Sequence, residues 1–466
     1  MRYVLKFGGE SLKGAYEIGR AMGLVKKNSE HELVVVVSAL AGMTNRLEVL
    51  CARAVSGEDP ERIRDELRLI EDMHIFEAQR LVKDNFLLLK LIEDVKAVLL
   101  EAERVLVGVC YLNEMTPRIK DRILSIGERL SAPIVSAALE TLGMKSVPLT
   151  GWDAGIVTDR NFTRASPIMD VSMKNISAVI PALLEQKIVP VVTGFIAKDA
   201  KGSITTLGRG GSDFTASIIG SAIRCDEIWL CKNIDGIMTA DPSLVPNARL
   251  LDHISYLEAS EMAYFGAKVL HPRCIEPALE LGIPVRVRNS SKYDESGTLI
   301  VKNGNGDKSI VKTVSLLDNI CLINVAGLNM VGSPGIVTDI FRALAAGNIQ
   351  ILMISQGSSE SNLTLVVPGS QSEGALELLR RDFCEGRHFK SVSLDKGKCI
   401  IAAVGLGMVT SPGVAARIFT AVARAGINVV MIMSGSNEIN ISFAVGKPDA
   451  KNAVQAIHDE FGLGNK

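Results

Sequence analysis

Four short segments of this 466-residue sequence carry residue types that could do chemistry. The first is Lys6-Phe7-Gly8-Gly9, directly after an apolar run. Adjacent glycines let backbone N–H groups approach phosphate oxygens, and a lysine supplies point charge for a transferred group. Alone this tetrapeptide is weakly specific, and a tight strand-to-helix turn with a solvated lysine accounts for it better. The second is Gly208-Arg209-Gly210-Gly211-Ser212-Asp213, followed by an apolar helical run over 214–223. Free N–H groups at a helix start form an anion site that the macrodipole strengthens, and Arg209 could grip a carboxylate with two parallel hydrogen bonds. This hexapeptide is much the more specific of the two.

The third segment is Ser125-Ile126-Gly127-Glu128, in a helical stretch interrupted by Gly127 and later by Pro133. A carboxylate beside such an irregularity can face a ligand's ammonium, although an ordinary surface glutamate explains it equally well. The fourth runs from Phe265 through Gly266, Lys268, Val269 and His271 to Pro272. Its lysine could complete a phosphate clamp, whereas His271 reads as a packed structural residue rather than a base. No Walker A pattern, G-x-G-x-x-G fingerprint, G-x-S-x-G elbow or H-E-x-x-H pair occurs, so a hydrolase or zinc enzyme has little support.

These parts suit phosphoryl transfer to a carboxylate. A carboxyl group with a reference pKa near ~4 is already an ionised nucleophile at neutral pH, so no general base is needed. The protein must instead hold two anions together and neutralise charge on the moving group. Two lysines, a metal ion and glycine-loop N–H groups do that, while an arginine and an acidic residue grip the amino-acid acceptor.

The elements that must position these loops follow from the pattern. Strands are predicted at Tyr3–Phe7, Leu33–Val37, Ser146–Leu149, Val189–Phe195, Glu227–Leu230 and Pro284–Arg288, as continuous apolar runs suited to burial on both faces. They alternate with helical patterns, which predicts an α/β domain with a mainly parallel sheet and helices on both faces. Glycine loops after such strands lie where open α/β sheets bind ligands. Two long amphipathic helices are expected over 61–107, another helix after Thr116-Pro117, and one opened by a Ser255-x-x-Glu258 capping box. The turn-rich 302–307 (KNGNGD) marks a boundary near residues 305–315.

Beyond that boundary the chain repeats itself. The stretch starting at Gly327 aligns without a gap with the stretch starting at Gly405, with close to half the positions identical. Each copy reads strand, Ser-Pro-Gly turn, amphipathic helix, strand, Gly-Ser turn, strand, a ferredoxin-like pattern that predicts a small sheet with helices on one face. Turns of Gly, Ser and Asn suit a ligand held by backbone groups better than catalysis. The methionines in the copies, such as Met353 and Met431, read as core filler.

Composition narrows the rest. Acidic and basic residues nearly cancel, 52 against 51, so neither a nucleic-acid nor an anionic-membrane partner is expected. The eight cysteines form no C-x-x-C pair and no zinc-like spacing, which fits buried thiols in a reducing cytosol. No signal peptide and no run of ~20 apolar residues is present, and the chain reads as cytoplasmic.

Taken together, KFGG at 6–9, VSAL-x-x-MTN at 37–45, S-x-GERLSAP at 125–133, TLGRGGSD at 206–213, DGIMTADP at 235–242 and FGAKVLHPR at 265–273 resemble the aspartate kinases of the amino-acid kinase superfamily. The tandem repeat is similar to that family's ACT domains. The resemblance covers nearly the whole chain. It implies a three-layer αβα kinase domain over 1–305 and two ferredoxin-like ACT units over 315–390 and 391–466.

It also implies roles. Lys6 and Asp213 would be catalytic, and Ser38, Thr44, Glu128, Arg209, Gly210, Gly211 and Ser212 would hold L-aspartate, with Glu128 on its amino group. ATP, with Mg²⁺, would meet Lys6, Gly8, Gly9, Lys232, Asn233, Met238, Ser243, Lys268 and Val269; no protein metal cage is implied. Ser333, Pro334, Gly335, Ile336, Gln356 and Asn428 would serve an end-product amino acid at the ACT interface. A homodimer or a dimer of dimers is implied, within lysine, threonine and methionine biosynthesis. The Ser355–Glu360 stretch is more similar to threonine-responsive members, because lysine-responsive ones often carry an aspartate near Leu352. A fused homoserine dehydrogenase is not expected.

Departures from the family pattern fall on the nucleotide side. Asn233 stands where many members have aspartate, Met238 and Ser243 where some have an aromatic residue and an arginine, and Glu10 replaces a threonine. Two alternatives remain at this level: a kinase of another small carboxylate such as glutamate, and a non-catalytic amino-acid sensor whose kinase half has decayed.

Overall fold

The computed structural model describes residues 1–266, 270, 272–302, 309–326, 335–356, 362–384, 391–434 and 439–465. It forms two compact units. One comprises Met1–Ile237, Leu250–Ala259 and Val269–Asn305, the other Met238–Arg249, Ser260–Lys268 and Gly306–Lys466.

The first unit opens with β1 (Arg2–Phe7), α1 (Ala15–Lys27) and β2 (Glu32–Val37). Both strands are apolar and buried almost throughout, as strands covered on two faces must be. A helical excursion follows: α2 (Met43–Val55), α3 (Pro60–Leu81), α4 (Asn85–Leu112) and α5 (Pro117–Leu124). The two long amphipathic helices expected there are α3 and α4, capped by Asp59 and Asp84, and Thr116 caps α5 with Pro117 at its first position.

The chain continues through α6 (Ile126–Thr141), β3 (Ser146–Leu149), β4 (Val157–Thr158) and α7 (Met169–Glu185) to β5 (Val189–Thr193). Next come β6 (Ile196–Asp199), β7 (Ile204–Thr206), α8 (Gly211–Ala222) and β8 (Glu227–Lys232). After β9 (His253–Ser255), Ser255 and Glu258 exchange side-chain and backbone hydrogen bonds as a capping box and start α9 (Tyr256–Tyr264). Then α10 (Pro272–Leu281) leads to β10 (Val285–Asn289) and β11 (Thr298–Val301).

The main sheet has the order β3-β5-β2-β1-β8-β10-β11-β9 and is parallel from β3 to β10, with β11 antiparallel to β10. Alternation along β1 sorts its two faces. Tyr3, Leu5 and Phe7 join a core with Ile18 and Met22 of α1 and Val135 of α6. Val4 and Lys6 point to the opposite face, where α8 packs against the strand. A separate small sheet, β4-β6-β7, stands before α8.

In the second unit each repeat contributes a strand, a helix, two strands and a second helix. These are β12 (Thr313–Ala326), α11 (Ile336–Ala346), β13 (Met353–Gln356), β14 (Asn362–Pro368) and α12 (Ser372–Leu379) in the first copy. The second has β15 (Ser391–Val404), α13 (Val414–Arg424), β16 (Val429–Ser434), β17 (Asn440–Gly446) and α14 (Ala450–Glu460). The repeat pattern predicts a small sheet for each copy, but the two share one, in the order β13-β14-β12-β15-β17-β16. The first strands of the copies are long enough to pair antiparallel from Thr313 with Val404 to Ala326 with Ser391, which removes an open edge from each. Each copy keeps its own apolar core, one around Ile340, Leu344 and Leu379, the other around Ile418, Val422 and Ile457. The segment 238–249 also belongs here, with Thr239 accepting from the Val314 N–H at 2.9 Å.

Candidate active site

Lys6, on the α8 face of β1, is only 7% exposed. The solvated lysine that its tetrapeptide suggests is therefore not what the fold builds. Its ammonium lies 2.7 Å from Asp213 Oδ1, in the first turn of α8, and the Lys232 ammonium at the end of β8 lies 3.0 Å from Oδ2. Burial works against ionisation of Asp213, but the Lys6 and Lys232 ammoniums overcome it and hold its carboxyl down to about 2. A buried anion between two cations holds both ammoniums in place.

Three helix starts converge beside this trio. Gly210, at φ +75, turns the chain into α8, and the carbonyl of Gly210 accepts from the thiol of Cys274 at 3.1 Å. Gly42, at φ +76, does the same for α2, whose first turn carries Thr44. Glu128 lies in the first turn of α6. At helix starts the aligned backbone dipoles favour anionic ligands in the space between. That space is a cavity of about 380 Å³, lined among others by Lys6, Gly9, Ser38, Thr44, Glu128, Arg209 and Asp213.

Glu128 is no surface glutamate. It is 2% exposed, and its Oε1 accepts from the Ala39 N–H at 3.1 Å. The approach depends on Gly127, where a Cβ would come within 2.6 Å of the Ala39 Cβ. The other oxygen, Oε2, is buried with no hydrogen-bond partner among the described residues. Burial raises the Glu128 carboxyl to about 8, only partly countered by the N–H bonds and by Lys6. The pocket thus holds a carboxyl that an incoming cation would ionise.

Arg209 stands exposed at the mouth and makes no hydrogen bond or ion pair with any described residue, so its fork is free for a ligand. Ser38 donates its hydroxyl to Ser212 at 3.0 Å, tying the end of β2 to α8. Gly9 packs against the Ala39 carbonyl, which a Cβ there would approach to 3.2 Å, and a Cβ on Gly8 would stand in ordinary contact with the Lys6 ammonium at 3.5 Å. Lys6, Gly9, Ser38, Thr44, Glu128, Arg209, Gly210, Gly211, Ser212 and Asp213 thus line one cavity.

The residues expected on the nucleotide side are more scattered. Lys232 borders the site through Asp213, and Asn233 is exposed in the turn after β8. Met238 and Ser243 belong to the second unit, where the Met238 carbonyl accepts from Thr313 and the Ser243 hydroxyl donates to Asp241 at 2.6 Å. Lys268 and Val269 lie outside the described residues, as do His271, Ser333 and Pro334. Among the other expected effector contacts, Gly335 and Ile336 start α11, Gln356 ends β13, and Asn428 precedes β16. Sequence reading missed Leu40, Asn45 and Phe195 as lining residues. Asn45 follows Thr44 at a helix start and could have been found from that; Phe195 is placed by a positive φ of 67°, which no side-chain pattern announces.

No group of three His, Cys, Asp or Glu side chains able to hold a metal occurs among the described residues, and both Asp213 oxygens already face ammoniums. Mg²⁺ binds through carboxylate oxygens, phosphates and water, and the described residues supply no cluster of carboxylates for it here. No helix among the described residues is long and apolar enough to cross a membrane.

Comparison with known proteins identifies the family. The model of the amino acid kinase family matches residues 1–289, and that of an ACT domain matches 323–383 and 401–461. Aspartokinase 1, chloroplastic, of Arabidopsis thaliana is 34% identical over 468 residues, a match covering 98% of this chain and 80% of the relative. Among solved structures, E. coli aspartokinase III in complex with lysine and aspartate (T-state) has a TM-score of 0.83 at 27% identity, covering 99% of each chain. The same enzyme in complex with aspartate and ADP (R-state) has a TM-score of 0.82, again at 27% identity and 99% coverage of each.

Proposed function

We infer the chemistry of this chain from its family: it belongs to the aspartokinases of the amino acid kinase family, ATP-dependent kinases of aspartate under allosteric control. The reaction moves the γ-phosphoryl group of ATP to the β-carboxylate of L-aspartate and gives 4-phospho-L-aspartate. The observation that carries the assignment is the single cavity flanked by the buried Lys6–Asp213 pair, the unpartnered Glu128 oxygen and the free Arg209 fork.

In the mechanism we propose, Arg209 binds the α-carboxylate by two parallel hydrogen bonds and Glu128 takes the α-ammonium. Ser38, Thr44 and the N–H groups at the start of α8 fix the rest of the molecule, leaving the β-carboxylate facing Lys6. That carboxylate is ionised already, so the protein's task is alignment and charge neutralisation. Lys6, held by Asp213, meets the charge that builds on the moving phosphoryl group, and Lys232 supports the nucleotide phosphates. ATP enters with its Mg²⁺, which supplies further charge neutralisation on the phosphates.

Residues 1–305 then form the catalytic domain, and 315–390 and 391–466 the two regulatory units. We place the enzyme in the cytoplasm, as a homodimer or dimer of dimers, at the head of lysine, threonine and methionine synthesis. Threonine is our preferred effector: Leu352, Met353, Ile354, Ser355 and Gln356 offer no carboxylate for a lysine side chain.

The test is ATP- and aspartate-dependent hydroxamate formation, with glutamate as competitor substrate and threonine and lysine titrated separately. Turnover with aspartate and inhibition by threonine are expected. Preference for glutamate, or no turnover with either, would overturn the substrate assignment; inhibition by lysine alone would overturn the effector.

A further inference from the structure

One buried carboxylate takes no part in that mechanism. Asp121, in α5, is fully buried and forms no ion pair with any described residue. Its Oδ2 accepts from the Thr206 N–H at 3.1 Å and the Thr163 N–H at 2.9 Å, and its Oδ1 accepts from the Thr206 hydroxyl at 2.7 Å. Burying a carboxylate without a paired counter-charge is costly, and the donors must be held tightly to offset it.

The partners lie at informative places. Thr206 ends β7, three residues before Arg209. Thr163 sits at φ +72, a left-handed conformation that a β-branched residue adopts only when its surroundings force it. Its carbonyl lies beside Gly208, 3.4 Å from where a Cβ on that glycine would stand. Toward the other side, the Asp121 carbonyl accepts from the Ser125 N–H at 3.0 Å, and the Ser125 carbonyl from the Arg129 N–H at 3.2 Å. Asp121 is thereby joined by continuous helical bonding to the first turn of α6, where Glu128 lies.

We propose that Asp121 is a positioning residue for the amino-acid substrate: it ties the helices that carry Glu128 to the strand end that carries Arg209, and so sets the span between the two groups that hold the zwitterion. The inference rests on the aspartate site proposed above. A role limited to stability would not distinguish between the two substrates. A role in setting that span acts on aspartate and leaves ATP binding alone.

The geometry supplies its own rescue. In Asp121→Asn the amide oxygen can accept from both backbone N–H groups while its NH2 donates to the Thr206 hydroxyl, which reverses its role. Asp121→Ala can do neither. The full-length chain is assayed with aspartate and ATP varied in turn, and aspartate binding is measured by calorimetry. Asp121→Ala should raise the KM and Kd for aspartate about 10- to 100-fold while the KM for ATP stays within about twofold, and Asp121→Asn should recover to within about threefold of wild type. If Asp121→Ala does not fold, Thr206→Val, which loses one bond, should raise the aspartate KM about three- to tenfold with the same selectivity. Folded variants with unchanged aspartate KM, or with both KM values raised together, overturn the proposal. A wild-type enzyme inert toward aspartate would sink the site assignment itself, whereas an active wild type with unmoved variants sinks only the role of Asp121.

Discussion

The Lys6 ammonium and the Asp213 carboxylate form a buried ion pair of 2.7 Å that joins the central strand of the sheet to the first turn of the helix at the anion-binding loop. The pair gives Lys6 a fixed direction and spares it from reorienting during the reaction. Lys6→Met should therefore lower kcat by about 100- to 1000-fold and leave the aspartate KM within a few fold. Steady-state rates with saturating ATP read this directly; an unchanged kcat would remove Lys6 from the chemistry.

Asp213 also makes a stability prediction. Its folded carboxyl is held far below the ordinary range, so the stabilisation it brings is complete above about pH 4 and is lost as pH falls toward 2. Asp213→Asn leaves two ammoniums facing a neutral group and should cost about 3–5 kcal/mol at pH 7. Denaturant titrations at pH 7 and pH 3 should show a smaller penalty at the lower pH. A penalty that does not change with pH contradicts the ion-pair account.

Glu128 behaves in the opposite sense. Burial raises its carboxyl to about 8, above its unfolded value, so the contribution to stability is present at low pH and is lost as pH rises from the unfolded value toward 8. Glu128→Gln should make the ligand-free protein more stable than wild type above pH 8, by on the order of 3 kcal/mol, and nearly equal to it at pH 4. Melting curves across that range check it.

The same carboxyl predicts a pH-dependent affinity. An ammonium ligand needs Glu128 ionised, so wild-type affinity for aspartate should rise from pH 6 to 8 with release of a proton on binding. Calorimetry in buffers of different ionisation enthalpy measures that proton; Glu128→Gln should abolish it and weaken aspartate binding about 100-fold. Proton release that persists in the variant would assign it elsewhere.

Arg209 and lysine are not interchangeable at a site that grips a carboxylate with a planar fork. Arg209→Lys keeps the charge but loses the paired hydrogen bonds, and should raise the aspartate KM about 10-fold with little change in the KM for ATP. Equal effects on both substrates would place Arg209 at the nucleotide instead.

Much of this was legible in the residues. Continuous apolar runs located the six strands from β3 to β10, and Asp59, Asp84 and Thr116 capped the helices that amphipathic spacing predicts. The loop at 208–213 stood out because helix start, glycines and arginine coincide in one hexapeptide. The burial of Glu128 did not, since nothing in its neighbours reveals that Gly127 lets Ala39 come close enough to enclose it. The burial of Lys6 depends on strand order, which places β1 inside the sheet, and strand order is a long-range property. Asp121 was silent for a similar reason: its partners, Thr163 and Thr206, lie tens of residues away in sequence.

The pairing of β12 with β15 bears on how the regulatory half can be taken apart or exchanged. Each copy of the repeat supplies the other's neighbouring strand along most of its length, interrupted near residues 317–322, so either copy alone would leave that edge uncovered. One copy transplanted alone onto another enzyme would carry a bare, sticky border, and grafts of the pair should remain monodisperse where single-copy grafts aggregate. The two copies thus share one sheet, with the β12–β15 seam at its centre and β13 and β16 at its two outer rims.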